Sequence, residues 1–233
     1  IITNIGTCHI ELLKSQDNIF KAKMEITNYM TKEDYLIVNG DDKFLSKLKD
    51  EDFEFNIIKT GFTIGSDLRA INYHTFGETS KFTAEGLGIK QDFIIPAIGK
   101  HNVSNALNVI ATCLISNVSI EEIQAGLMKF EPSKLRMQII QENGIKYIND
   151  SYNANPESME AVLSSFESYA SGRKIGILGD MLELGEFSKS AHEKIGYIAN
   201  EALDIAFFIG GQMKYAYDAF GEEKNNDIRK YHF

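Results

Sequence analysis

A lysine, a histidine and two amide-rich segments are the residues of this chain whose types and spacing lend themselves to chemistry. Lys23 falls four residues after Ile19 and three before Ile26, so on a helix it sits within the apolar stripe of Ile19, Phe20, Ile26 and Met30, while Lys21 points away. A lysine on a core-facing stripe is costly unless it is paired or neutral. It reads either as a side chain snorkelling at the rim of the core, or as an amine that reacts with carbon dioxide to give a carbamate, an oxygen donor for a divalent cation. His9 follows the first predicted strand and precedes Glu11. It reads either as a hydrogen-bonded structural residue or as a ligand at the carboxyl end of a strand, where α/β sheets collect what they bind. His9 and Lys23 fall in one strand–loop–helix unit, which would let them converge.

The segment Gly99-Lys100-His101-Asn102-Val103-Ser104-Asn105-Ala106 stands at a helix start. Glycine there permits close backbone approach, and the free N–H groups favour anions or polar bases. Asn102 reads equally as a helix cap, and Asn105 carries an amide that can both donate to and accept from an adenine edge. Asn149-Asp150-Ser151-Tyr152-Asn153-Ala154-Asn155-Pro156 is the stronger signal. A βα loop needs one cap, and this one carries an acid, a hydroxyl and three amides. Gly179-Asp180, with Leu182-Glu183-Leu184-Gly185, repeats the theme more weakly, and Asp180 reads equally as a loop-closing residue. No G-x-x-x-x-G-K-[ST] phosphate loop occurs in the 233 residues, since Gly99-Lys100 is followed by His101.

The elements that must position these groups alternate short apolar runs with longer helical ones, the pattern of an α/β fold with a parallel sheet. Strands are predicted at 1–5, 35–38 and 55–59, with helices at 17–30 and 44–48. From 66 to 98 apolar and polar residues alternate between glycines, which predicts an antiparallel meander beside the sheet. Helices follow at 102–116 and 119–129, the second opened by the capping box Ser119-x-x-Glu122. Glu131-Pro132-Ser133 breaks the pattern, giving domains at 1–131 and 132–233. The second series runs strand 146–149, a helix capped by Asn155 with Pro156 at its first position, strand 174–178, a helix opened by Ser190-x-x-Glu193, strand 205–209, helix 212–220 and a last strand near 227–233. The face of the Pro156 helix is Met159, Val162, Leu163, Phe166 and Tyr169.

Composition narrows the classes further. Hydrophobic residues are 43% and charged ones 24%, enough for a core. The net charge of −9 argues against a nucleic-acid scaffold held by phosphate neutralisation, though not against a bound nucleotide. No apolar run approaches the roughly 20 residues that span a bilayer. Two cysteines, Cys8 and Cys113, are too few for a disulfide framework and read as reduced thiols. The opening Ile1-Ile2-Thr3, already inside a strand pattern, suggests a piece of a longer protein.

Taken in order, TNIGTCHIE (3–11), KAKMEI (21–26), GKHNVSNAL (99–107), NDSYNANPESM (149–159) and GDMLELGEFS (179–188) resemble the Mur ligases, in particular the branch that adds a D-alanyl-D-alanine dipeptide. The resemblance covers nearly the whole chain. It implies part of a central ATPase domain, with a parallel sheet and small antiparallel meander, followed by an incomplete Rossmann-like C-terminal domain. It implies an ATP-dependent amide ligase of peptidoglycan synthesis, cytoplasmic and monomeric, with UDP-N-acetylmuramoyl-tripeptide and D-alanyl-D-alanine as partners and no nucleic acid or membrane. The tripeptide carboxylate would become an acyl phosphate that the dipeptide amine attacks, with ATP and Mg²⁺ as cofactors. Matched position by position, Lys23 is the carbamylated lysine and His9 the histidine near the second magnesium ion. Asn105 and Asn102 lie on the adenine side, Arg136 reaches the phosphates and Asp150 the ribose. Asn153 and Asn155 lie near the peptide substrates, flanked by Ser151 and Tyr152. The phosphate loop, the magnesium-binding glutamate and the UDP-sugar domain of the family would lie upstream, so the chain alone is expected to be inactive. A sister ligase, adding a diamino acid or resembling folylpolyglutamate synthase, and a non-catalytic nucleotide-binding module are the competing readings.

Overall fold

Ile2 makes the first pairing of the chain, a single parallel bridge to Val38 with its N–H on the Ile37 carbonyl at 2.9 Å. The strand predicted over 1–5 goes no further, because the Ile5 N–H is taken by the Asp42 carboxylate (2.8 Å) instead of a ladder partner. The computed structural model describes residues 1–131, 133–169, 172–221, 223–224, 227–228 and 230–233. Pro132, at the predicted break, lies outside them, as do the side chains at 167–169, which include Tyr169 of the predicted helix face. A one-turn helix, α1 (Ile10–Leu13), was not anticipated; it is framed by His9 and Lys14, both left-handed at φ 63° and 69°.

Helix α2 (Gln16–Met24) is shorter than predicted and passes into a 3₁₀ turn at Glu25–Thr27, where the Thr27 hydroxyl donates to the Met24 carbonyl (2.7 Å). That tightening ends the 3.6-residue repeat. Within α2 only Ile19 is buried, and Ile26 is 60% exposed. The apolar stripe that would have buried Lys23 therefore does not form, and the lysine is exposed.

Strands β1 (Tyr35–Asn39), β2 (Asn56–Gly61), β3 (Leu68–Phe76), β4 (Thr79–Gly86) and β5 (Ile89–Ile95) form one sheet in that order. The β1–β2 and β2–β3 pairings are parallel and the last two antiparallel, so the predicted meander lies beside the parallel strands and continues their sheet. Leu36, Ile37 and Val38 are all buried, the continuous apolar run of a strand covered on both faces. Helix α3 (Lys100–Ile115) packs Val103, Leu107, Ile110 and Ala111 into the core formed with β1–β5. Cross-strand partners Phe82 and Phe93 stack at 6.1 Å with neither exposed; burying each contributes about 1.5–3 kcal/mol. Helix α4 (Ile120–Leu127) begins at the predicted box, with Ser119 and Glu122 capping one another.

The second series opens with a hairpin, β6 (Gln138–Glu142) and β7 (Ile145–Asn149), of which only the second strand was predicted. Then come α5 (Pro156–Tyr169), β8 (Ile175–Gly179), α6 (Ser188–Ala202), β9 (Ile205–Ile209), α7 (Met213–Ala219), the short pair β10 (Glu223–Lys224) and β11 (Asp227–Ile228), and β12 (Lys230–His232). A parallel sheet runs β12-β9-β8. Helix α6 starts at Ser188, two residues before the predicted box, and the Ser190 hydroxyl turns back to the Phe187 carbonyl (3.1 Å) instead of capping.

The chain divides into two compact units. One comprises Ile1–Gly6 with Gln16–Glu131, the other Thr7–Ser15 with Pro132–Phe233. The segment Thr7–Ser15, although on the N-terminal side of the 131/132 break, groups with the second unit.

Candidate active site

In the first unit, Lys23 reaches from the last turn of α2 and donates from Nζ to the Asn4 carbonyl at 2.8 Å. Its ammonium is hydrogen-bonded and solvated, so the desolvation argument for a reactive amine does not apply here. The position still fits a carbamate: a carbamylated amine keeps one N–H for the Asn4 carbonyl and gains two oxygens. Helix α3 starts at Gly99, whose φ of 104° is open to glycine, and a Cβ there would meet the His101 ring at 2.6 Å. Asn102 spends its amide on the Ile98 carbonyl (2.8 Å), which leaves it a helix-start tie. Asn105 is exposed on α3. The Asn105 amide is thus the more open of the two.

The second unit assembles more of the predicted residues. Hairpin β6–β7 pairs Gln138 with Asn149, which sets the residues before β6 beside those after β7. There the Asp150 carboxylate accepts the Met137 N–H (2.9 Å), the Tyr152 N–H donates to the Leu135 carbonyl (3.1 Å), and the Arg136 guanidinium stacks over the Tyr152 ring at 4.1 Å. Asp150 is half-buried with one oxygen outside that bond, and Arg136 is exposed. An arginine plane held flat on an aromatic face keeps its edge donors for phosphate oxygens. Sequence reasoning gave Tyr152 only a flanking place; its ring orients the arginine.

The rest of the loop divides between scaffold and open amide. Ser151 donates its N–H to Asn149 Oδ1 (3.2 Å). Asn155 Oδ1 accepts the Ser158 N–H (2.8 Å) while the Ser158 hydroxyl returns to the Asn155 carbonyl, so Asn155 is the N-cap of α5 as predicted. Asn153 and Tyr152 are exposed. Asp180 accepts the Met213 N–H (2.7 Å) at the start of α7, its loop-closing reading.

His9 and Lys23, expected in one strand–loop–helix unit, belong to different compact units. The imidazole Nδ1 of His9 is bonded to the Glu183 carboxylate, and Glu157 holds Thr7 through its N–H (2.9 Å) and hydroxyl (3.1 Å). Neither acid was singled out from the sequence, because nothing in local spacing links residues more than a hundred positions apart. Among the described residues no three His, Cys, Asp or Glu side chains form a ready metal cage. No described helix is long and apolar enough to cross a membrane.

Comparison with known proteins gives the two α/β units a family. Residues 1–113 match the model of the Mur ligase middle domain, and residues 135–232 that of the Mur ligase glutamate ligase domain. The chain belongs to the Mur ligase family. It is 34% identical over 213 residues to the UDP-N-acetylmuramoyl-tripeptide–D-alanyl-D-alanine ligase of Bacillus subtilis, covering 90% of this chain and 45% of the relative. A crystal structure of MurF from Acinetobacter baumannii superimposes with a TM-score of 0.88 at 27% identity, over all of this chain and 50% of that one. MurF ligase from Thermotoga maritima in complex with ADP, at 20% identity, shares the fold with a TM-score of 0.81, covering 92% of this chain and 50% of that one. The chain spans about half the length of the relatives it matches.

Proposed function

We propose that the protein carrying this chain is an ATP-dependent amide ligase that joins D-alanyl-D-alanine to UDP-N-acetylmuramoyl-tripeptide in peptidoglycan synthesis. The observation that carries the reading is the cluster at the open end of hairpin β6–β7. There an arginine, a carboxylate and an aromatic ring from both flanks meet in the part of the chain that matches the ligase domain. A free carboxylate is a poor acyl donor; passing the γ-phosphate to it makes an acyl phosphate, which the dipeptide amine attacks with loss of inorganic phosphate. Arg136 offers donors to phosphate oxygens while Tyr152 fixes its plane. Asp150 accepts from a ribose hydroxyl with the oxygen not committed to Met137. Asn105 reads the adenine edge, and Asn102 holds the start of α3. Asn153 faces the peptide substrates; Asn155, with Ser151, builds the loop that presents it. His9 would stand by the second Mg²⁺ of the family, and a carbamylated Lys23 would offer oxygen donors to Mg²⁺ in its own unit; the bound charge would neutralise developing negative charge on the transferring phosphoryl group. The reading includes a cytoplasmic, monomeric enzyme that uses neither nucleic acid nor membrane, in keeping with the net charge of −9.

The test is a competition of amines. The ligase that contains this sequence is given ATP and Mg²⁺ with either the UDP-linked tripeptide and D-alanyl-D-alanine or the UDP-linked dipeptide and a diamino acid, with the product weighed by mass spectrometry. Dipeptide addition with one phosphate released per bond is expected. Incorporation of a diamino acid onto the UDP-linked dipeptide would reassign the protein to a sister branch. The 233 residues alone, which contain no phosphate-loop motif, are expected to turn over no ATP above a buffer blank.

A further inference from the structure

The segment carrying His9 is held at both ends by acids of its own unit. Glu157, in the first turn of α5, grips Thr7 with both oxygens. Glu183 takes the other end twice, accepting the Glu11 N–H on its backbone carbonyl (3.1 Å) and bonding its carboxylate to Nδ1 of His9. The loop presenting Glu183 is fixed from beneath. Met181 and Leu184 are buried at 1% and 2% exposure, and the Met181 N–H donates to Nε2 of His192 (3.1 Å). His192 is itself fully buried, and its Nδ1 lies 2.7 Å from the Ser188 carbonyl. With Nε2 accepting and Nδ1 facing a carbonyl, that ring is the neutral Nδ1–H tautomer.

Backbone geometry points the same way. His9 and Glu183 both adopt left-handed conformations, φ 63° and 61°, although neither is glycine. Such residues are strained and persist where their surroundings over-determine them. Here two of them meet.

We infer that Glu183 is the positioning residue for His9: its carboxylate keeps the ring proton on Nδ1, so that Nε2 presents its lone pair outward. The inference rests on the reading of His9 as the magnesium-side histidine and names the group that would orient it. An imidazole with nothing on Nδ1 is free to place its proton on either nitrogen, and one tautomer has no lone pair at Nε2. A carboxylate on Nδ1 selects the useful form, as partners of metal-bound histidines do.

The test is the tautomer of His9 in the ¹⁵N-histidine-labelled chain, read by nitrogen NMR well above the ordinary histidine range. Glu183→Gly is the main variant, because glycine accepts φ 61° and keeps the backbone carbonyl for Glu11 while losing the carboxylate. Glu183→Ala is the second, and the His192 nitrogens report whether the loop has kept its shape. Wild type is expected to show a protonated Nδ1 and a bare Nε2 on His9. Both variants are expected to shift the His9 nitrogens toward the opposite tautomer with His192 unchanged. Identical His9 spectra in wild type and Glu183→Gly would overturn the inference. A magnesium titration of the ¹⁵N-histidine-labelled complete ligase, in the presence of a non-hydrolysable ATP analogue, separates this result from the metal reading. If the tautomer follows Glu183 but Mg²⁺ never moves the Nε2 signal of His9, the metal assignment fails and the Glu183 assignment stands. In the complete ligase, Glu183→Gly is expected to raise the Mg²⁺ concentration needed for half-maximal rate roughly 10–100-fold.

Discussion

Among single residues, the buried pair Thr60 and Asn108 shows how narrowly polar groups are tolerated in the first unit. The Thr60 hydroxyl donates to Asn108 Oδ1 at 2.8 Å, and both side chains are at or below 2% exposure. Asn108 Nδ2, like Ser80 Oγ, has no hydrogen-bond partner among the described residues. Thr60→Val removes the one bond and strands a second buried atom of the amide. It is expected to cost about 1–3 kcal/mol, the penalty of an unsatisfied buried group rather than the modest net worth of the bond. Replacing both, Thr60→Val with Asn108→Leu, takes away donor and acceptor together and is expected to recover most of that loss. Urea unfolding of the two variants checks it; a double variant less stable than Thr60→Val alone would show that the pair contributes by shape and not by polarity.

Among elements, the hairpin β6–β7 matters most to the proposed site, and its turn is its weak point. Asn143 and Gly144 have φ of 51° and 76°, the double left-handed turn that joins two strands of right-handed twist. Gly144→Val forces a β-branched residue into that region, at a cost of about 1–2 kcal/mol. The variant is expected to lower the urea midpoint of the second unit and, in the complete ligase, to raise the KM for ATP, since Arg136 and Asp150 lie at the hairpin's open end. An unchanged midpoint and KM would separate the turn from the site. Neither this turn nor the Gln138–Glu142 strand is among the sequence expectations, which hold only the strand at 146–149, although Asn-Gly between two apolar runs is a strong short-range hairpin signal. The capping box at Ser119 and the Asn155 cap were read correctly, since each is a contact within four residues. Lys23 was misplaced for a physical reason the sequence hides. A periodic stripe says which residues share a face if the helix continues, and α2 gives way to a 3₁₀ turn at Glu25. The Glu183–His9 and Glu157–Thr7 contacts were out of reach of any local pattern.

At the scale of the whole molecule, the carboxyls held below their ordinary range fall unevenly. Among the described residues there are four, and all four belong to the first unit. Glu85 is held down by its bonds to Lys90 and then Arg69, and Asp92 by Thr83 and then Lys81. Asp34 owes its shift to the Thr31 N–H and then its hydroxyl, and Glu122 to the Ser119 hydroxyl and then its N–H. A lowered carboxyl pKa means that the folded state takes up its proton later than the unfolded chain does. The resulting stability is present in full above the ordinary values of 3.8 for Asp and 4.5 for Glu, and drains away as pH falls through the lower, folded values. Asp34, Asp92 and Glu122 are solvent-exposed and Glu85 is half-buried, so each contribution is small and salt-sensitive, but they act in one direction on one unit. Hydrogen exchange, corrected for its intrinsic pH dependence, is expected to show β3–β5 losing protection between about pH 5 and 3 before β8 and β9 do. Neutralising the two meander acids, Glu85→Gln with Asp92→Asn, removes their share of the proton uptake and is expected to flatten that loss. If the double variant falls as steeply as wild type, the acid sensitivity of the sheet comes from elsewhere in the unit; if β8 and β9 open first, these four carboxyls are not what acid reads.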